Sequence, residues 1–370
     1  MTEGWFKPDL LFDGQDIVGD ISVRIAGNRV VEMSKDVVGA ISLPGVMTPG
    51  FIDLQVNGGG GVLLNNTPTV DAMEDIAAAH RRFGTVAVLP TVITDHPDIL
   101  DQAAAAAIVA KDHKGIVGLH IEGPHISLAR RGTHSADYIR PMDERTMSLV
   151  SDLRKAGVSV MITVAPEAAT PQQISRLADT GAIVSLGHTD ASAQEIEAAV
   201  AAGARCGTHL FNAMSPMTSR APGAVGGILD AGIAFGMICD GVHVDDTMVR
   251  LALRAGAPGS APFLVSDAMA TVGGDAQFTL YGQTVQLKDG RLVNAEGNLA
   301  GAHVTQAEGV RRLVQDVGIG LADALRMAIS TPATLIGQPA LGGLLGRSTQ
   351  DVIVLDSDYA VTGTLMELGG

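Results

Sequence analysis

Seven ionisable residues stand at or near the ends of apolar runs, and their types suit hydrolysis by a metal-held water. They are Glu122, His134, Glu167, His188, His209, His243 and Asp267. Glu122 follows an apolar run and precedes Gly-Pro, a turn that stops a strand and leaves the carboxylate at its mouth. His188 in GHTD and His209 in THLFNAM each end an apolar run, where a core histidine would be hard to satisfy. One carboxylate and two imidazoles make a three-ligand N/O set with a fourth position left for water, as in catalytic zinc sites. Asp267, in SDA at the end of the last run, is a carboxylate able to accept a proton from that water and pass it on.

Such residues need a scaffold that brings many strand ends together. The runs are 51–58, 85–94, 116–125, 158–167, 182–189, 204–214, 233–244 and 262–270. Ala-rich, mixed-polarity stretches alternate with them at 71–83, 98–112, 143–156, 171–180, 191–202 and 245–255. Eight such repeats predict an α/β fold, a (β/α)₈ TIM-type barrel with its chemistry at the C-terminal ends of the strands. The 370 residues exceed a bare barrel of about 250. Short strand patterns at 9–48 and 351–366 predict a small β-sandwich domain built from both termini, residues 1–48 and 340–370, flanking a barrel domain at 49–339. A β-hairpin insertion is expected near 276–298, where LKDGRLV carries an Asp-Gly turn.

A formal net charge of −15 argues against nucleic acid and against an anionic membrane surface. No run is long enough to span a bilayer, and Met1–Asp9 has no signal-peptide pattern, so a cytoplasmic protein is expected. Cys206 and Cys239 lack metal-type spacing and read as buried thiols. The glycine run 58–61 has no following Lys-Ser/Thr and reads as a flexible loop near the site, and not as a phosphate loop. His80, His96 and His113 are expected at the surface, Glu167 in a supporting role, and Arg130-Arg131 in a solvated loop.

An ordered series of motifs goes further. TPGFIDLQVNG (48–58), LHIEGPH, RRGTH (130–134), VAPE (164–167), SLGHT, THLFNAM, CDGVHVD, LVSDAMA, GVRRLV (309–314) and STPATLIG (330–337) together resemble the N-acetylglucosamine-6-phosphate deacetylase family of the amidohydrolase superfamily. The resemblance implies hydrolysis of the acetamide of N-acetylglucosamine 6-phosphate, with Glu122, His188 and His209 as metal ligands and Asp267 as the catalytic acid/base. It puts His134 beside the reacting carbonyl as both catalytic and substrate-binding, and His243, Asn212, Ala213, Arg220 and Ala302 at the sugar phosphate. A homodimer is implied as well, the partner subunit contributing to the phosphate site. Two positions depart from the family pattern. Ser219-Arg220-Ala221 stands where His-Arg-Glu is frequent, and His303 follows Ala302 where small hydroxyl residues are common.

Many amidohydrolases place His-x-His at the end of strand 1 for a second metal, but Gln55-Val56-Asn57 stands there. Amide oxygens are weak zinc ligands, so one divalent cation per subunit is expected, zinc by its ligands. Gln55 and Asn57 are expected to line the site. Alternatives left open are the N-acetylgalactosamine 6-phosphate epimer, a cyclic amidase or dipeptidase, and a sensor that binds an amino-sugar phosphate without turnover.

Overall fold

The computed structural model describes residues 3–294, 297 and 299–369. Positions 295, 296 and 298 of the expected insertion, and 1, 2 and 370 of the expected terminal domain, lie outside the described residues.

Eight parallel strands form one sheet in sequential order: β1 Phe51–Val56, β2 Thr85–Ile93, β3 Leu119–Glu122, β4 Val160–Val164, β5 Ile183–Leu186, β6 Cys206–Gly207, β7 Ala234–Met237 and β8 Ala261–Leu264. The first and last strands meet through a parallel bridge between Val56 and Ala268 and a bond from Asp267 N to Gln55 O at 3.0 Å, which closes the barrel. Each predicted run coincides with one of these strands, the last strand beginning one residue before its run, at Ala261. Helices α1 Val70–Arg81, α2 Pro97–Ala110, α3 Glu144–Lys155, α4 Pro171–Asp179 and α5 Ala193–Ala201 follow the first five strands. α6 Gly223–Asp230 and α7 Asp246–Ala255 follow β6 and β7, and a segmented helical stretch from Gln306 to Leu335 comes after β8. The side chains of Thr69, Asp143, Thr170, Ser192 and Asp245 each accept a backbone N–H at a helix start. These caps satisfy donors that a helix start leaves orphaned, and so fix where each βα loop ends.

The barrel interior is layered. Ile52, Leu54, Ala87, Leu89, Met161, Ile183, Cys206, Ala234 and Phe263 make an apolar lower layer, packed against Ala333 and Ile336. Above it lies a hydroxyl-rich layer. His120 Nε2 meets Thr163 Oγ1 at 2.8 Å, Thr163 meets Thr208 at 2.7 Å, and Thr208 meets Ser185 at 2.5 Å. The lower layer fixes barrel diameter by packing, and the upper one by mutually satisfied hydrogen bonds, so the strand ends above are rigidly spaced.

The chain ends combine in a separate seven-stranded sheet, in which Ile41–Pro49 pairs with Gly4–Phe12 on one side and Val352–Leu355 on the other. It has its own core, including Phe6, Leu11, Val23, Ile25, Met47, Val352, Val354 and Leu365. The insertion is a three-stranded antiparallel sheet, Gln277–Leu280, Gln283–Lys288 and Arg291–Val293, one strand more than a hairpin. Both of its turns, Tyr281-Gly282 and Asp289-Gly290, have two successive positive φ angles, the signature of tight hairpin turns.

His80 corrects the surface expectation: it is 0% exposed, and its Nε2 lies 2.9 Å from Gly58 O. Burial pushes it down to about 4, so it is neutral and donates to that carbonyl. The glycine run is accordingly held and not free, with Gly60 N bonded to Val272 O at 2.8 Å and Gly61 N to Ala270 O at 2.9 Å. His96 and His113 are surface residues, with side chains 55% and 36% exposed. Cys206 and Cys239 are buried free thiols.

Candidate active site

At the C-terminal mouth of the barrel, β3 ends in Glu122 and the chain leaving β5, β6 and β8 carries His188, His209 and Asp267 two or three residues beyond each strand. His188, His209 and Asp267 have φ of 46°, 23° and 50°. Left-handed backbone costs a non-glycine residue of order 1–3 kcal/mol. At these three positions it turns a side chain back over the barrel axis.

Glu122 Oε1 lies 3.2 Å from His188 Nε2 and 3.1 Å from His209 Nε2, and the two ring nitrogens are 3.1 Å apart. A tetrahedral zinc with bonds of about 2.0–2.1 Å places its ligands about 3.3–3.4 Å from one another. The triangle is thus close to one face of such a shell. His188 Nδ1 lies 2.9 Å from Arg130 O, and a carbonyl only accepts, so that nitrogen holds the ring proton and Nε2 presents its lone pair inward. All three residues are at most 5% exposed. Burial opposes ionisation of Glu122, yet its interactions with the two facing imidazoles, His188 and His209, outweigh it and hold the carboxyl well below its usual range. A buried carboxylate facing two ring nitrogens at this distance requires positive charge between them, and the donor set fits a divalent cation. Glu122, His134 and His188 also group as metal-capable, their ligand atoms lying within 4.8 Å of one another. His134 Nε2 is the more distant donor, 4.0 Å from Glu122 Oε2.

Asp267 is partly buried across from this cluster. Asn57 Nδ2 donates to its Oδ1 at 2.7 Å, and Gln55 Nε2 to the same oxygen at 3.2 Å and to Glu122 Oε1 at 2.9 Å. The two amides at the end of β1 therefore orient the carboxylates. Burial pushes Asp267 up to about 6, with the charge of Glu122 adding to the rise. That value suits a group that must take and return a proton near neutrality.

Asn57, Glu122, His134, His188, His209, Asn212, Ala213, His243 and Asp267 line one cavity of about 170 Å³. Two larger cavities of about 520 Å³ touch Ala234 or Ala261, at strand starts, and neither contains a histidine. His243 Nδ1 is held by Asp240 Oδ2 at 2.7 Å. Two expected contacts fall elsewhere. Ala302 is 1% exposed and bonds through its backbone to Asp267 O and Met269 N, so it pins the end of β8 while Leu299 and Gly301 line the cavity. Arg220 is exposed in the loop before α6 and outside the lining. Glu167 supports the loop after β5, accepting from Thr189 Oγ1 at 2.5 Å and Asp190 N at 2.6 Å. Arg130 pairs with Asp190 at 2.8 Å, and Arg131 donates to His134 O at 2.9 Å.

Sequence reasoning passed over Thr94, whose Oγ1 lies 2.7 Å from His134 Nδ1, and Asp240. Thr94 ends the second apolar run, the position that singled out the other site residues. Asp240 precedes His243 by three residues, a spacing that carries no signal alone.

Comparison with known proteins agrees with this geometry. Residues 46–357 match the model of the Amidohydrolase family. The chain is 41% identical to the N-acetylgalactosamine-6-phosphate deacetylase of Shewanella sp. (strain ANA-3), over 86% of this chain and 81% of that one. It is 33% identical to the N-acetylglucosamine-6-phosphate deacetylase of Haemophilus influenzae, over 96% of both. The crystal structure of N-acetylglucosamine-6-phosphate deacetylase from Pasteurella multocida superposes with a TM-score of 0.91 at 33% identity, covering 98% of each chain. A closed eight-stranded barrel, a Glu-His-His cluster with an aspartate at its mouth, and a family match over most of the sequence lead to one conclusion: this chain belongs to the amidohydrolase family.

Proposed function

We propose that the protein hydrolyses the acetamide of N-acetyl-D-glucosamine 6-phosphate to D-glucosamine 6-phosphate and acetate, using one divalent cation, zinc, held by Glu122, His188 and His209. The observation that carries this reading is the cluster at 3.1–3.2 Å with Asp267 beside it, amide-anchored and pushed up to about 6. The named relatives support the substrate class. A cation at this cluster supplies Lewis-acid charge and makes a water nucleophilic near neutral pH.

The chain's own groups complete the reaction. Asp267 takes the proton from the attacking water. Its Oδ1 is held by Asn57 and Gln55, which leaves Oδ2 as the oxygen free to exchange the proton. His134, which burial and then the field of His188 together push down to about 3, stays neutral and donates to the oxygen on which negative charge develops. Asp267 then returns the proton to the amine nitrogen as the C–N bond breaks, and acetate and the free amino sugar leave.

The cavity lining of one chain holds no Lys or Arg among the described residues. The reading assigns the phosphate's cations to groups outside that lining, to Arg220 in the exposed loop before α6 and to a second subunit of a homodimer. The separate terminal core supports a division into a barrel at 49–339 and a β unit from 1–48 and 340–370. No helix among the described residues is long and apolar enough to cross a membrane.

The galacto epimer is the second reading, favoured by the 41% identical relative. Acetate release from both epimeric phosphates and from the unphosphorylated sugars tests the proposal. We expect kcat/KM for the gluco phosphate to exceed that for its epimer, and both to exceed those of the free sugars. Equal rates with and without phosphate would refute the substrate assignment. Arg220→Ala should raise KM for the phosphorylated sugar about tenfold or more and leave kcat nearly unchanged, since it removes binding remote from the reacting bond. Parallel losses on phosphorylated and free sugars would show that Arg220 acts elsewhere.

A further inference from the structure

Thr94 Oγ1 lies 2.7 Å from His134 Nδ1 and 3.4 Å from Glu122 O. A hydroxyl has one proton to give. The shorter contact is a strong hydrogen bond and the longer one is at the weak limit, so the proton goes to the ring nitrogen. A buried neutral imidazole that accepts at Nδ1 carries its own proton at Nε2. We propose that Thr94 is the positioning residue that fixes His134 as the Nε2–H tautomer, making it a donor to the reacting carbonyl and withholding it from the cation as a ligand.

Three features support this assignment. His134 Nε2 has no acceptor within hydrogen-bond distance among the described residues, Glu122 Oε2 being 4.0 Å away, and it lines the cavity, so its proton is free for substrate. The close approach of Thr94 is built into the turn that follows β3. A Cβ on Gly123, whose φ is +81°, would lie 2.2 Å from Thr94 Oγ1, so a side chain there would displace the hydroxyl. The insertion holds Thr94 from the other side: Tyr281, at its first turn, donates to Thr94 O. Phe278 and Leu280 pack with Ile93 and Met269, which seats that turn against the end of β2 and the loop after β8. The three-stranded insertion thereby bears on the catalytic mouth without supplying a residue to the chemistry.

The role as carbonyl donor rests on the deacetylase reading, whereas the tautomer does not. Long-range ¹H–¹⁵N correlation spectra of ¹⁵N-histidine-labelled, metal-loaded protein, with the ring assigned by its disappearance in His134→Gln, read the tautomer directly. We expect a protonated Nε2 and a bare Nδ1, and His134→Gln should keep its metal. Thr94→Val, which keeps the shape and loses the donor, should lower kcat by about 10- to 100-fold with a smaller change in KM, and Thr94→Ser should restore most of it. A proton on Nδ1 in the unaltered protein, loss of metal in His134→Gln, or an unchanged kcat in Thr94→Val would each overturn the proposal. If acetate release fails altogether, the spectra and the metal content still decide it.

Discussion

Asp267→Asn is expected to fold, keep its metal and lose about 10²- to 10⁴-fold in kcat, the range a positioned general acid/base contributes. The amide is the same size and can still meet Asn57 and Gln55, but it cannot carry a proton from water to the leaving nitrogen. Circular dichroism and metal content isolate the chemical defect from a structural one. The pH profile gives the sign independently. Asp267 must be ionised to accept a proton, and burial pushes it up to about 6, so activity is present above that pH and lost as pH falls through it. A cation bound alongside favours the carboxylate, so the acid limb of kcat/KM should lie at or below about pH 6 and be absent from the residual rate of Asp267→Asn. Near-normal turnover in the variant would remove Asp267 from the mechanism.

Glu122→Gln should have the other large effect. Its Oε1 is the shared partner of both ligand histidines, at 3.2 and 3.1 Å, and removing its charge leaves two buried imidazoles without their anion. Metal affinity should fall by more than about 10²-fold, beyond the loss typical of a supporting residue, and turnover should fall with it. Dialysed unaltered protein should hold about one ion per chain, because Gln55 and Asn57 use their amide nitrogens on Glu122 and Asp267 where a second metal would want imidazoles. Two tightly held ions per chain, or one that survives loss of both His188 and His209, would contradict this ligand set.

The barrel was legible because alternation of apolar runs with Ala-rich stretches is a local pattern, and eight parallel strands have few ways to close. α6 was not legible. Its GAVGGILD sequence reads as a helix breaker, yet a Cβ on Gly227 would lie 2.9 Å from Ile196 Cβ, so glycine there is what lets α6 pack on α5. Glu122, His188, His209 and Asp267 were visible because an ionisable residue at the end of an apolar run is conspicuous. Thr94 and Asp240 were not, since a Thr ending a strand and an Asp in a loop are ordinary until a histidine is found against each. The burial of His80 had no sequence signal either: its partner is a backbone carbonyl 22 residues away. Arg220 shows the opposite limit. A motif places it at the phosphate, while the single chain leaves it in an exposed loop.

The most direct test measures acetate released from N-acetylglucosamine 6-phosphate by chelator-stripped protein before and after one equivalent of zinc per chain. The account predicts no release from the stripped protein and full turnover once a single equivalent has bound. Undiminished release without metal, or none with it, would contradict the central claim.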